Sequence, residues 1–251
     1  KYHPNVKYFP IEEKMPLGKK RNLMHDKCKG DIIVYMDDDD YYPSMRVSHA
    51  VEVLLKNPTA LCAGSSQIFI YYDHIDKIYQ FGPYGKQHAT AGTFAFRKEL
   101  LKNSRYEDNA CLAEEKAFLD NYQVPFVQLD PEKVIVVFAH DHNTVSKKKL
   151  LENPDKRFVK ELTKDVRELV PEKDLLKFYK EDLNNILKNY EPGNPNYKPD
   201  VMRNIIELEE TRRIEAEKRA NENGQIVMKQ PDGSVKKIST SEMVSIVQKQ
   251  Q

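Results

Sequence analysis

The chain has 251 residues, 31% of them charged, with a formal net charge of +1 and a hydrophobic fraction of 39%. The balanced charge argues against a general nucleic-acid surface, which needs a clear basic excess, and no apolar run approaches the length that spans a bilayer. The cysteines, Cys28, Cys62 and Cys111, are far apart and odd in number. They fit reduced structural thiols in a cytoplasmic protein better than a disulfide frame or a zinc cluster. No signal peptide is visible, although the first residue is Lys rather than Met, which is compatible with a leader already removed.

Up to about Asn143 strand and helix signals alternate. Val6 to Phe9 reads as a short strand and Gly18 to Cys28 as a helix. Ile32-Ile33-Val34-Tyr35-Met36 is an apolar, β-branched run, the signature of a buried strand. Val47, Ala50, Val51, Leu54 and Leu55 recur at helical spacing and predict a helix burying that face. Ala60 to Tyr72 is strand-like, Lys77 to Phe81 is its hairpin partner, and Gly82-Pro83-Tyr84-Gly85 is a turn. Thr93 to Phe96 is a further strand, Ala113 to Tyr122 a helix, and Val134 to Ala139 a second strongly apolar strand. This alternation predicts an α/β sheet with helices on both faces.

Beyond Thr144 the composition changes. Lys147 to Lys149 form a basic cluster, Pro171 opens a helix, and Glu191 to Pro199 is a loop rich in Pro, Asn and Gly. Val201 to Asn221 reads as a charged helix, Gln225 to Ile238 as a hairpin around Pro231-Asp232-Gly233, and Ser239 with Glu242 as the capping box of a last helix. The sequence thus divides into residues 1–146, an α/β domain, and residues 147–251, a charged, mainly helical extension that packs on the main domain, on a partner or in an oligomer.

The run Asp37-Asp38-Asp39-Asp40 closes the first apolar strand and is followed by Tyr41-Tyr42-Pro43. Ligands of open α/β sheets bind outside the carboxyl ends of such strands. Adjacent carboxylates repel, so several ionised together need a cation or a basic partner. Hard divalent cations take oxygen ligands, often one or two carboxylates plus substrate phosphates. A solvated acidic loop is the plainer alternative. The position at the end of a buried strand favours a metal site holding a phosphorylated substrate.

Upstream lies Gly18-x-x-Arg21-Asn22, then a helix, then Gly30-Asp31, the apolar strand and Asp37-x-Asp39-Asp40. This order resembles the central signature of GT-A glycosyltransferases, particularly the family 2 type. The resemblance implies a GT-A-like, Rossmann-like mixed sheet flanked by helices. It also implies a nucleotide-sugar donor, most readily a UDP-sugar, held through Mn²⁺ or Mg²⁺, with a glycan or protein acceptor. Asp37 and Asp39 then take the DxD positions, Asp39 as metal ligand and Asp37 on nucleotide or metal. Asp38 and Asp40 form an equally spaced pair, so the register stays open. Arg21 is placed near the donor, where a guanidinium pairs with phosphate oxygens. An exposed helical arginine is the alternative.

Gly92 to Leu100 resembles the strand and basic turn that follow the acceptor region, and Glu114-Glu115 stands where the family carries a Glu-Asp pair, one acid of which is the general base. Glu115 matches the base position and Glu114 is the alternative. Two surface glutamates in a first helical turn are the structural explanation. After the last apolar strand, His140-Asp141-His142-Asn143 offers a histidine to complete the metal site, with His142 preferred. No nearby cysteine supports a zinc site there. His88 to Gly92, small and ending in glycine, suits a sugar or acceptor pocket.

The resemblance covers roughly residues 10 to 145, and the sequence starts later than the strand, turn and helix that hold the nucleotide base in the family. It is closest in kind to glycosyltransferases of large DNA viruses, which implies host cytoplasm or virion. A metal-dependent, inverting sugar transfer is the expected activity. A non-catalytic binding module and a nucleotidyltransferase are the alternatives, the latter lacking a Gly-rich phosphate loop.

Overall fold

The computed structural model describes residues 3–111, 115–143, 146–191, 194, 196, 198–223, 225–229 and 235–239. Its contacts divide the chain into two compact units, 1–201 and 202–251.

The first unit is built on two mixed four-stranded sheets. Strands β1 (Ile32–Val34), β2 (Cys62–Gly64), β5 (Ala95–Arg97) and β6 (Phe126–Gln128) form one, in the order β1-β5-β2-β6. The pairing is antiparallel except between β2 and β6. Strands β3 (Ile68–Tyr72), β4 (Lys77–Phe81), β7 (Val136–Ala139) and β8 (Val159–Glu161) form the other, in the order β7-β3-β4-β8, with only β3 and β7 parallel. Helices α1 (Leu17–Lys27) and α2 (Arg46–Lys56) flank β1 in sequence, and α3 (Glu115–Phe118) precedes β6. This mixed α/β arrangement is the GT-A-like architecture expected.

Helix α2 lays Ala50 and Leu54, both fully buried, against Ala63, Ile70 and Val137, joining the two sheets in one core. The buried stripe of α2 is Arg46, Ala50 and Leu54. Val47 and Leu55, expected inside, are 49% and 64% exposed. The i, i+4 row beginning at Arg46 is the one that faces the sheet. Under α1, an aromatic cluster of Tyr35, Phe94, Phe96, Tyr106 and Phe118 fills the space. Tyr106 and Phe118 stack at 4.4 Å between centroids.

Several expectations change in detail. Residues 6–9 are irregular and exposed rather than a strand. Among the described residues no strand pairs with them. The helix expected over 113–122 is the four-residue α3 followed by turns, in which Asp120, Asn121 and Tyr122 take positive φ. Strands β6 and β8 were not apparent from the pattern. Residues 147–201, assigned from sequence to the extension, belong to the first unit. β8 pairs with β4, and Val166 and Leu169 of helix α4 (Val166–Leu169), with Val170, pack on Phe69, Tyr71 and Phe138. The helix opened by Pro171 runs as α5 (Lys173–Lys177), a π turn (Phe178–Asp182) and α6 (Leu183–Lys188).

The second unit contains most of α7 (Pro199–Asn223) and the hairpin of β9 (Gln225–Lys229) and β10 (Val235–Ser239). The strands pair antiparallel, Ile226 opposite Ile238. The hairpin turn at 231–233 and the expected last helix at Ser239 and Glu242 lie outside the described residues.

Candidate active site

The acidic run leaves β1 and crosses to the second sheet, where Tyr41 and Val136 exchange backbone hydrogen bonds of 3.0 and 2.9 Å. Pro43 and the start of α2 follow, so the run is a short bridge pinned at both ends. Its four carboxylates have different surroundings.

Asp37 faces the 3₁₀ turn Ala91–Thr93. A Cβ on Gly92 would stand 2.6 Å from Asp37 Oδ2. Glycine is therefore what lets the carboxylate approach this backbone. The Asp37 N–H donates to Tyr42 Oη at 2.8 Å, and the Tyr42 hydroxyl donates to the Gly92 carbonyl at 3.2 Å. Desolvation pushes the Asp37 pKa up, the Arg21 charge opposes this, and Asp39 and Asp38 add to the rise.

Asp39 is bound to the end of β7. Its Oδ2 lies 3.1 Å from His140 Nε2. The His142 N–H donates to His140 Nδ1 at 3.2 Å, and His140 Nε2 meets the Asn143 amide nitrogen at 2.9 Å as well as Asp39. Asn143 Oδ1 takes the His140 backbone N–H at 2.9 Å. The His140 hydrogen bond holds the Asp39 carboxyl below its ordinary range against the opposing effect of burial. Asp40 accepts the Phe138 N–H at 3.2 Å, and its pKa is raised well above the usual value by burial and by Asp39. Asp38 is exposed. Thus Asp39 is the carboxylate most firmly ionised, Asp37 is its electrostatic neighbour, and Asp40 serves the backbone of β7.

Helix α1 turns a polar face inward. Gly18, Arg21, Asn22 and His25 are its buried residues, one row at i, i+3, i+4, i+7. Gly18 sits where a Cβ would meet Glu107 O at 1.9 Å. The Asn22 amide donates to Tyr106 O at 2.9 Å and Asp108 Oδ1 at 2.7 Å, and its oxygen accepts the Tyr106 N–H at 3.1 Å. These contacts fix the 106–110 loop. Arg21 is only 8% exposed. Its guanidinium lies 4.8 Å from the Tyr35 ring centroid and 5.5 Å from that of Tyr106, so it is an aromatic-packed cation directed toward Asp37, not a solvated arginine.

Glu115 approaches the same glycine turn. Its Oε1 accepts the Ala91 N–H at 3.2 Å. Asp37 and Glu115 therefore meet adjacent residues of one turn. Near Glu115 stands His88, whose ring packs on Tyr84 and Tyr122. Among the described residues its Nδ1 is buried without a partner. Burial lowers the His88 pKa and the Glu115 charge opposes that. Glu114 lies outside the described residues. His142 turns away, its Nε2 donating to the Tyr190 carbonyl at 3.2 Å. His140, not His142, is the histidine beside the acidic run.

Lysines surround the run. Lys20 acts electrostatically on Asp37, Lys147 on Asp39 and Asp40, and Lys198 is close enough to feel Asp39. Lys198 is itself lowered by burial and by Lys14 and Lys20. Among the described residues no group of three or more His, Cys, Asp or Glu side chains is arranged to hold an ion. His140 Nε2 is engaged by Asp39 and by the Asn143 amide. A cation there would have Asp37 and Asp39 as its carboxylates and would need phosphate oxygens and water to complete its shell. Sequence reasoning missed the contributions of Tyr42 and Arg46, because an aromatic and a helical arginine carry no spacing signal, while His88 lies in the 88–92 segment already read as a pocket.

The fold is that of a GT-A-like α/β protein with a cluster of carboxylates at the end of β1. Residues 1–105 match the family described as Glycosyl transferase family 2. The match takes in Arg21, the acidic run and Gly92, and ends before Glu115 and His140. No curated protein matches the chain. Among the described residues no helix is long and apolar enough to cross a membrane.

Proposed function

We propose that the protein is a metal-dependent, inverting glycosyltransferase that moves a sugar from a nucleotide-sugar donor, most readily a UDP-sugar, to an acceptor hydroxyl on a glycan or protein. The observation that carries this reading is the convergence of Asp37 and Glu115 on one glycine turn, with Asp39 held ionised beside them. Mn²⁺ or Mg²⁺ held by Asp39 and Asp37 would supply charge neutralisation for the departing diphosphate.

The remaining roles belong to side chains. His140 contacts Asp39 through Nε2 and keeps it oriented. Arg21, Lys20 and Lys147 set positive charge around the carboxylates, which favours an anionic ligand over a bare acidic loop. Gly92 lets the Asp37 carboxylate come up against the backbone of the turn. Glu115, with one oxygen held by Ala91, presents the other to take the acceptor proton as the hydroxyl attacks, the arrangement direct displacement with inversion requires. Glu114 is the neighbouring alternative.

Calorimetry with Mn²⁺ and a panel of UDP- and GDP-sugars, followed by assay of donor hydrolysis, tests this reading. One donor is expected to bind and turn over. Binding without turnover would mark a non-catalytic binding module, and no binding at all would overturn the proposal. Asp39→Ala is expected to abolish metal-dependent hydrolysis while moving the melting midpoint by no more than about 3 °C, as befits a half-exposed loop residue. Wild-type turnover in that variant would remove the metal assignment.

A further inference from the structure

The residue that the functional reading leaves unused is Arg46. It opens α2 and is 1% exposed. Its Nη2 donates to three backbone carbonyls, Thr93 O at 2.8 Å, Phe94 O at 2.9 Å and Tyr35 O at 3.2 Å. Among the described residues, its Nε and Nη1 are buried without a hydrogen-bond partner, and no carboxylate forms an ion pair with it. A buried cation that lacks an acid is expensive to keep. An apolar side chain of similar length would fill the space without that cost. The arrangement is therefore explained by what the three carbonyls belong to.

Tyr35 ends the strand two residues before Asp37. Thr93 and Phe94 end the turn whose Gly92 faces Asp37 and whose Ala91 N–H holds Glu115. We infer that Arg46 is a positioning residue that sets the separation of Asp37 and Glu115 by fastening the end of β1 to the 91–94 turn. Tyr42 is a second staple across the same gap, accepting from Asp37 N–H and donating to Gly92 O. Two staples with different chemistry cross one gap. The roles of the two carboxylates rest on the glycosyl-transfer reading. The fastening itself does not.

Hydrogen exchange on the full-length chain, paired with steady-state kinetics of donor hydrolysis, tests the inference in Arg46→Met, Arg46→Lys and Tyr42→Phe. In Arg46→Met, amides of 35–42 and 90–95 are expected to exchange about tenfold faster, the equivalent of one lost buried hydrogen bond. The paired strands β3 and β7 should keep their protection. The kcat should fall about 100-fold, as for an ångström-scale misplacement, with KM changed by less than about threefold. Arg46→Lys puts three N–H donors on one atom, against the two on Nη2, and should recover most of both losses. Tyr42→Phe should loosen the same two segments to a smaller degree.

Unchanged exchange at 35–42 and 90–95 in Arg46→Met would overturn the inference. So would acceleration spread equally over β3 and β7, which marks an ordinary core residue. If Arg46→Met does not fold, Arg46→Lys and Tyr42→Phe decide on the same readout. If the wild type turns over no donor, the functional reading fails while the exchange pattern still decides the fastening.

Discussion

Gly92 shows how much of the site hangs on single atoms. Its missing Cβ is the space into which the Asp37 carboxylate reaches. Gly92→Ala would force a backbone-anchored methyl to within 2.6 Å of Asp37 Oδ2, so the carboxylate must swing away. Turnover is expected to fall about 100-fold, while the melting midpoint changes little because φ at this position suits alanine. Parallel kinetics and calorimetry would check it, and an Ala variant at full activity would remove Asp37 from the site. At this scale the sequence is a fair guide to chemistry and a poor one to neighbours. Asp37, Asp39 and Gly92 could be singled out by type and position, while Arg21 and Glu115 came from the family resemblance. That Asp37 and Glu115 share one turn depends on the pairing of β5 with β1, which the sequence does not encode locally. The difference between His140 and His142 likewise turns on which way an extended end rotates.

Among elements, α1 is the instructive case. A helix normally advertises its buried side with apolar residues. Here the inward row is Gly18, Arg21, Asn22 and His25, so hydrophobic periodicity is silent although the helix was legible from its limits. His25 is held among Tyr35, Phe96, Tyr106 and Phe118 and contacts the Tyr35 hydroxyl. Burial, with the Arg21 charge, lowers its pKa to about 4. Neutral His25 is thus the folded form, and the unfolded chain binds the proton more readily. Stability from this residue is complete above pH 6.5, declines as the pH falls toward 4, and is then lost, a total of roughly 3 kcal/mol. Chemical denaturation of the wild type and of His25→Phe between pH 7 and pH 4 should show the wild type losing more stability by about that amount. Equal pH slopes would contradict it. The short strands show the opposite limit of legibility. Strands β6 and β8 have three residues each and partly exposed patterns, so only tertiary pairing defines them.

For the whole molecule, the boundary between units falls near residue 201, not 146, because the edge of the second sheet is completed by β8 and sealed by Val166, Leu169 and Val170. Charge composition led to the earlier boundary. The segment from 147 to 201 is polar outside and needs only a few apolar residues to dock, too few to register as a domain. The same segment carries Lys147 and Lys198, whose charges reach the acidic run, so it belongs to the chemistry as well as to the fold. The central claim is that ionised carboxylates at a sheet's rim, with lysines around them, grip a cation and through it a diphosphate. The most direct measurement is the anomalous density of Mn²⁺ in a crystal of the full chain soaked with a nucleotide-sugar. The account predicts a peak between Asp37 and Asp39 with diphosphate oxygens against it. Bare carboxylates turned toward solvent, with the nucleotide elsewhere or missing, would contradict it.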